Sequence, residues 1–271
     1  MKRILSLALI CALSSALFAQ TLTKENRHVS SFTGLDASGA FTIELTKGSQ
    51  PSVVVEAEAK YMEYIKTEVR SGVLKLYFQN SGRVRMNVKT PLRAYITVSE
   101  LTSLELSGAC SLTTSDLFTP SRFLLDMSGA SKVSGLKLQS NEAKMEASGA
   151  SKFNISGNIK QLWVSVSGAS DGKCNVTSDV VNVIASGASD LSMQGEANRA
   201  KIDLSGASSF LGDSFVVKEL DFSASGASEA SKIQVTDALS IRMSGASKLN
   251  YKGTPRLLES KLGGGSTVNN K

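Results

Sequence analysis

The tripeptide Ser-Gly-Ala occurs nine times in this chain of 271 residues, with its first Ser at positions 38, 107, 128, 148, 167, 186, 205, 225 and 244. From Ser107 onward the steps are 21, 20, 19, 19, 19, 20 and 19 residues, and 19 residues beyond Ser244 stands a degenerate copy, Gly263-Gly264-Gly265-Ser266. A period near 20 is too short for paired-helix repeats and falls among leucine-rich and β-solenoid lengths. A unit this small cannot cover its own apolar face, so copies must stack on one another to make a core.

Aligned on the tripeptide, the residue before the Ser is always apolar, as in Leu106, Met127, Val166 and Met243, and so is the residue two positions further back, as in Leu104, Leu125, Val164 and Ile241. Between the two columns lie Asp36, Glu105, Asp126, Glu146, Ser165, Ile184, Asp203, Ser223 and Arg242, polar in all but one copy. Alternation with period two is the mark of a strand with one buried face. A second inward column follows the tripeptide: Leu112, Val133, Phe153, Leu191, Phe210 and Leu249, with Gly172 and Ala230 as gaps. Nothing in the unit spells a helix, and the Asn of a leucine-rich repeat is missing. Each unit therefore reads as two short strands flanking a small-residue segment. The fold expected is all-β: a right-handed parallel β-solenoid with rungs about 4.8 Å apart.

With the residue before the Ser facing inward, Gly39, Gly108, Gly129, Gly149, Gly168, Gly187, Gly206, Gly226 and Gly245 are expected to face inward too. There a side chain would strike the opposite wall, or the backbone needs an unusual turn. Ser hydroxyls in register are expected to form a stacked ladder that satisfies backbone groups at a corner. This reads the motif as architecture; the functional alternative is that the Ser column is a flat polar binding strip.

The stretch from Thr46 to Glu100 breaks the period. It holds a predicted short helix over Ala59 to Lys66 and strand-like runs Gly72 to Phe78, Val84 to Val88 and Ala94 to Val98. An open parallel edge invites aggregation, so this excursion is expected to cap one end of the solenoid. The organisation expected is one domain over residues 20–271: first rung and capping excursion at 28–100, regular repeats at 101–250, and a terminal rung with a frayed tail at 251–271.

Residues 1–19 carry Lys2 and Arg3 ahead of an apolar run from Ile4 to Phe18 that ends at Ala19, the layout of a secretory signal peptide. Ile10 before Cys11 argues against a lipid-anchored cysteine. No later segment has the roughly 18 to 20 apolar residues of a membrane helix, so an exported chain is expected: periplasmic, outer-membrane-associated or extracellular. Without Lys2 and Arg3 the formal charge falls from +6 to +4. Basic residues are scattered among acids and aromatics are few, which excludes the basic stripe and stacking platform of a nucleic-acid binder.

One enzyme-like match exists. Gly168-Ala169-Ser170-Asp171-Gly172 fits the G-x-S-x-G nucleophile elbow, but that triad wants a His after the Ser, and the single His of the chain is His28. The pentapeptide is one more copy of the repeat. No metal-ligand spacing is present. Asp171 and Asp190 occupy equivalent positions on neighbouring rungs and could approach each other, within a column of mixed charge that also holds Lys152, Ser209, Glu229 and Lys248. Acid pairs such as Asp203 with Asp221 or Glu142 with Glu146 do not stand out from the repeat. No catalytic residue, cofactor or metal is assigned.

Phe32-Thr33-Gly34-Leu35 leading into Ser38-Gly39-Ala40, the stretch Val53 to Leu76, Leu101 to Ala109, the serial Ser-Gly-Ala units and the closing Tyr251-Lys252-Gly253-Thr254-Pro255 together resemble the secreted auto-transporter adhesin, head GIN domain family, over about residues 28 to 268. The resemblance implies a β-solenoid-like fold and export, and brings no catalytic residues. The function expected is a non-catalytic binding or adhesion module that uses repetitive lateral faces, with an extracellular glycan or envelope protein as partner. The alternatives are a polysaccharide-acting lyase or hydrolase on a β-helix, or a purely structural envelope component. Cys110 and Cys174 fall three rungs apart, roughly 14 Å along the axis, beyond the reach of about 7 Å for a disulfide. Two free thiols are expected, with Cys174 buried in a column with Ile155 and Met193.

Overall fold

The computed structural model describes residues 22–79 and 92–271. The predicted signal peptide at 1–19, with Cys11, and the predicted strand Val84 to Val88 lie outside the described residues. Within them the chain forms one continuous sheet and one short 3₁₀ helix. In chain order come β1 (Leu22–Arg27), β2 (Gly34–Gly39), β3 (Phe41–Lys47), β4 (Ser52–Glu58), the helix Ala59–Tyr64, β5 (Ile65–Arg70), β6 (Val73–Phe78) and β7 (Leu92–Val98). The regular stack starts with β8 (Ser103–Gly108), β9 (Ser111–Thr113), β10 (Leu117–Phe118) and β11 (Arg122–Met127).

Six long strands then carry it: β12 (Lys132–Ala147), β13 (Lys152–Val166), β14 (Asp171–Ala185), β15 (Asp190–Leu204), β16 (Ser209–Ala224) and β17 (Glu229–Met243). Finally come β18 (Lys248–Lys252), β19 (Arg256–Leu262) and β20 (Thr267–Asn270). All pairings from β8 onward are parallel, each strand lying on the equivalent residues one repeat away, as in Val164↔Val183 and Val183↔Ile202. The chain is a parallel β-solenoid.

A repeat is thus not two short strands but one strand of 15 or 16 residues bent twice, closed by the tripeptide. The tripeptide is the first bend. The second is marked by left-handed backbone at or beside Gly135, Gly157, Gly195, Ser214 and Lys232. At the third, two successive residues point outward and the alternation changes phase: Asn141-Glu142, Lys160-Gln161, Asp179-Val180, Asn198-Arg199 and Lys218-Glu219. Both apolar columns read from the sequence are buried. Within the second column Gly172 is a gap because its neighbours fill it: a Cβ there would lie 2.7 Å from Cδ1 of Leu191 and would strike the Phe153 ring. Each fully buried Leu, Ile or Phe contributes about 1.5–3 kcal/mol by leaving water, through contacts with the rungs above and below and across its own rung, as where the Phe210 and Phe215 rings meet edge to face.

The excursion does more than cap. β6 and β7 lie parallel to β2 and β3 as a further layer, on the side opposite β8 and β9. The first tripeptide rung is therefore sandwiched, and the chain returns past it to build the rest. Beyond this layer the pairing turns antiparallel, β4 on β7, β1 on β4 and β5 on β6. The helix ends at Tyr64 rather than Lys66, because residues from Ile65 onward pair with β6. Glu56 is nearly buried here. Tyr95 donates a hydrogen bond of 2.9 Å to its Oε2, Arg93 one of 2.9 Å to its Oε1, and Lys24 lies 3.4 Å away. The Tyr95 hydroxyl, with the two cations, holds its carboxyl below the usual range against the opposing effect of burial. At the other end the expected frayed tail is ordered: β20 pairs with β18 through Asn270. Leu257 and Leu262, in columns otherwise buried, are 55% and 51% exposed, since no described rung covers them.

Candidate functional site

Two of the three bends differ in kind. The tripeptide glycines do not face inward; they lie exposed at the first bend with φ near +70° from Gly108 to Gly245, and +111° at Gly39. What excludes a side chain is the rung before, not a facing wall. A Cβ on Gly187 would lie 2.7 Å from the carbonyl oxygen of Gly168, which already accepts the Ala188 N–H at 2.8 Å. The same clash with the preceding glycine recurs at every tripeptide from Gly108 on.

The serines that satisfy the corner are also not those of the tripeptide. The residue after each Ala, namely Ser131, Ser151, Ser170, Ser189, Ser208, Ser228 and Ser247, is buried and donates its hydroxyl to the carbonyl of the first Ser of its own unit at 2.8 to 3.0 Å. The shorter bond runs within a rung; Ser189 and Ser208 also reach the rung before, at Val166 O (3.4 Å) and Ala185 O (3.2 Å), and of the tripeptide serines Ser148 reaches Met127 O at 3.3 Å. Its signal was present in the sequence as a fourth residue that is Ser in every unit from 128 on; Cys110 takes that place in the unit before and lies 3.6 Å from the Ala37 carbonyl oxygen. Ser170 is accordingly held by Ser167 at 2.8 Å beneath the surface, and it is no exposed nucleophile.

The other candidate acids are likewise ordinary members of the surface. Asp171 and Asp190 are ladder partners, and Lys152 reaches Asp171 at 3.5 Å. Asp203 and Asp221 are not partners: Asp221 sits opposite Lys201 and holds Arg242 at 2.6 Å, while Asp203 lies opposite Ser223. Glu142 is paired with Arg122 at 3.1 Å and Glu146 with Lys144 at 2.8 Å. Among the described residues no group of three or more His, Cys, Asp or Glu could hold a metal ion. Cys110 and Cys174 are free and buried, Cys174 stacked between Ile155 and Met193 as the spacing implied. Burial pushes its thiol up to about 12.

The third bend carries the concave surface that sequence reading missed. An open groove of about 720 Å³ runs across it from Thr119–Ser121 to Val216 and Lys218. It crosses six rungs, about 24 Å at the solenoid spacing. One rim is the row Gln139, Asn158, Thr177, Glu196 and Val216; the other is Asn141, Lys160, Asp179, Asn198 and Lys218. Between them the floor column runs Ser140, Ile159, Ser178, Ala197. Asn198 donates to Asp179 at 3.0 Å, and Asn141 to Ser121 Oγ at 3.3 Å. Ser140 donates to the Glu142 carbonyl at 2.7 Å. Ser178, two rungs on, is 7% exposed and its hydroxyl has no partner. A buried hydroxyl left so costs about 1–3 kcal/mol. Pro120 stands in this bend in the first rung of the groove, opposite Ser140, but from Ser140 to Ala197 no Gly, Pro or repeated side chain marks it, so only the shift in burial phase after residues 140, 159, 178 and 197 could have disclosed it.

A stacked parallel solenoid with one invariant corner and one variable, grooved corner defines a repetitive scaffold for lateral contacts. The chain belongs to the family described as "Putative auto-transporter adhesin, head GIN domain", which it matches over residues 31–176 and 168–255. Its fold is similar to that of a "putative adhesin" from Parabacteroides distasonis, at 16% identity and a TM-score of 0.73, over 93% of this chain and 98% of the other. A "putative adhesin" from Parabacteroides merdae is alike at 16% identity and a TM-score of 0.73, over 93% and 97%. A "Putative lipid binding protein" from Parabacteroides distasonis follows at 16% identity and a TM-score of 0.66, over 93% and 98%. At such identities the likeness is one of fold. No protein of curated function matches the sequence. Among the described residues no helix is long and apolar enough to cross a membrane.

Proposed function

We propose that this protein is an exported, non-catalytic binding module of the adhesin-head kind that meets its partner along a lateral face of the solenoid, in the periplasm, at the outer membrane or outside the cell. The observation that carries the reading is the groove at the third bend, open along six rungs, where side chains vary from rung to rung while the first bend repeats. A long shallow surface of this kind suits an extended partner rather than a small molecule enclosed on all sides. The acids weighed for a polysaccharide-cleaving site are tied up in ion pairs or fail to face each other, so the enzyme alternative has no pair to stand on.

The test combines cell fractionation with binding of the purified chain to envelope polysaccharide. Recovery outside the cytoplasm and saturable retention without shortening of the polymer are expected. New polymer ends would favour the enzyme, and neither binding nor cleavage would favour a purely structural component.

A further inference from the structure

We propose that the groove at the third bend is a binding site for an uncharged, hydroxyl-rich glycan chain lying along the solenoid axis. The inference rests on the binding-module reading and deepens it. Four features of the groove point to this ligand class. Its floor column alternates small hydroxyl and apolar residues from rung to rung, Ser140, Ile159, Ser178, Ala197, and carries no charge, as suits a neutral polyol chain rather than an ionic one. Its rims offer groups that both donate and accept, the amides of Asn158 and Asn198 and the hydroxyl of Thr177, as sugar hydroxyls require.

The third feature is charge. Lys160 and Lys218 are balanced by Asp179 and Glu196 in the same groove, so no net field draws a polyanion. The fourth is unused bonding capacity. Among the described residues no side-chain hydrogen bond engages Asn158 or Thr177, and the buried Ser178 hydroxyl, unlike that of Ser140, has no partner.

Other extended ligands fit less well. The strands here are paired on both sides with the rungs above and below, so there is no free edge for a peptide to join by β-augmentation. The groove has no aromatic side chain on which nucleic-acid bases could stack. Without an aromatic platform each sugar is held weakly, and affinity must come from the number of rungs engaged.

The experiment probes the purified mature chain with neutral hexose polymers, N-acetylhexosamine polymers and uronic-acid polymers, at low and high salt. Three variants accompany it: Thr177→Arg, which places a long side chain from the exposed rim across the groove; Ser178→Ala; and Asn154→Arg, exposed on a different face. Salt-insensitive, saturable binding to a neutral or N-acetylated polymer is expected, weakened by at least about tenfold in Thr177→Arg and within about twofold of wild type in Asn154→Arg. Ser178→Ala should weaken binding about threefold to tenfold while the melting temperature holds or rises, since the unpaired hydroxyl is gone.

Binding confined to uronate polymers and abolished by salt overturns the inference, as does failure to bind any polymer. Neutral-polymer binding that survives Thr177→Arg overturns the groove while leaving the module reading intact. Shortening of the polymer overturns the module reading itself.

Discussion

The first and third bends of each rung solve the same problem, turning a strand out of the plane of its sheet, by opposite means. The first relies on backbone and one short side chain: a left-handed glycine, an Ala N–H on the preceding glycine's carbonyl, and a buried serine whose hydroxyl closes the loop within its own rung. Because backbone stacks on backbone there, any departure in one copy collides with the next, and the motif must repeat. The third bend uses two successive outward residues of almost any kind, as Lys160-Gln161, Asp179-Val180 and Asn198-Arg199 show. Its backbone tolerates variety, so its side chains are free to be selected for a partner. In a stacked fold, then, repetition marks where rungs touch and variation marks where the molecule can meet something else.

That contrast breaks most sharply at Gly187→Val. A β-branched residue must adopt φ of +73° with its Cβ 2.7 Å from the Gly168 oxygen. Backbone strain and overpacking together are expected to destabilise by about 3 kcal/mol or more. An unchanged melting temperature would remove the steric account of the motif. Ser189→Ala comes next. Its hydroxyl is fully buried and donates to Ser186 O at 2.9 Å, and its loss should cost about 1–2 kcal/mol in denaturant unfolding. A cost as small as that of a surface change would show that water replaces the bond and that the first bend is looser than its geometry.

Cys174 sharpens the comparison by reporting on the core that both bends enclose. With its thiol pushed up to about 12 by burial, it should resist alkylation at mild alkaline pH in the folded chain and react at the unfolding rate. Gly187→Val should speed that reaction, whereas Thr177→Arg should not. Mass spectrometry after denaturing, non-reducing alkylation should show Cys110 and Cys174 both modified, with no bridge between them.

A smaller effect is expected on the face before the tripeptide. Desolvation, and then the neighbouring carboxylates Asp36 and Asp126, hold the pKa of Glu105 above the ordinary carboxylate value. Raised in the folded state, this group favours folding when protonated, and that contribution is lost as pH rises through its folded pKa. Glu105→Gln should therefore stabilise at neutral pH by a few tenths of a kcal/mol, given solvent screening, and the gain should vanish in acid. A gain that grows on acidification would reverse the assignment. The least effect belongs to the grooved bend: Asn198→Ala, exposed there, should stay within about 0.5 kcal/mol of wild type in stability.

Composition of the core was legible early. Both apolar columns, the rung spacing and the separation of Cys110 from Cys174 followed from period and alternation, because those depend only on which residues recur at fixed steps along the chain. The direction of the tripeptide glycines was not legible. Extending the alternation through Ser107-Gly108-Ala109 predicts an inward glycine, yet a left-handed residue resets the phase, and phase is a property of φ and not of residue order. The role of Ser189 and its equivalents was visible as a repeated letter but not as a bond, since a bond three residues long appears only once the turn exists.

By itself, then, the sequence determined that this chain stacks as a parallel β-solenoid, with apolar columns inside and a glycine corner on every rung; a period of about 20 with strict alternation admits little else. Only the tertiary structure decided three things. It put β6 and β7 beneath the first tripeptide rung, because strand order in space is set by pairing partners and not by chain order. It turned the outer strands antiparallel at one end. And it gathered Asn158, Thr177, Ser178 and Asn198, spread along 41 residues of chain, into one groove. Residues about a repeat apart become neighbours at roughly 4.8 Å only when every rung between them is in register, so a site of this kind exists in the stack and in no segment of it.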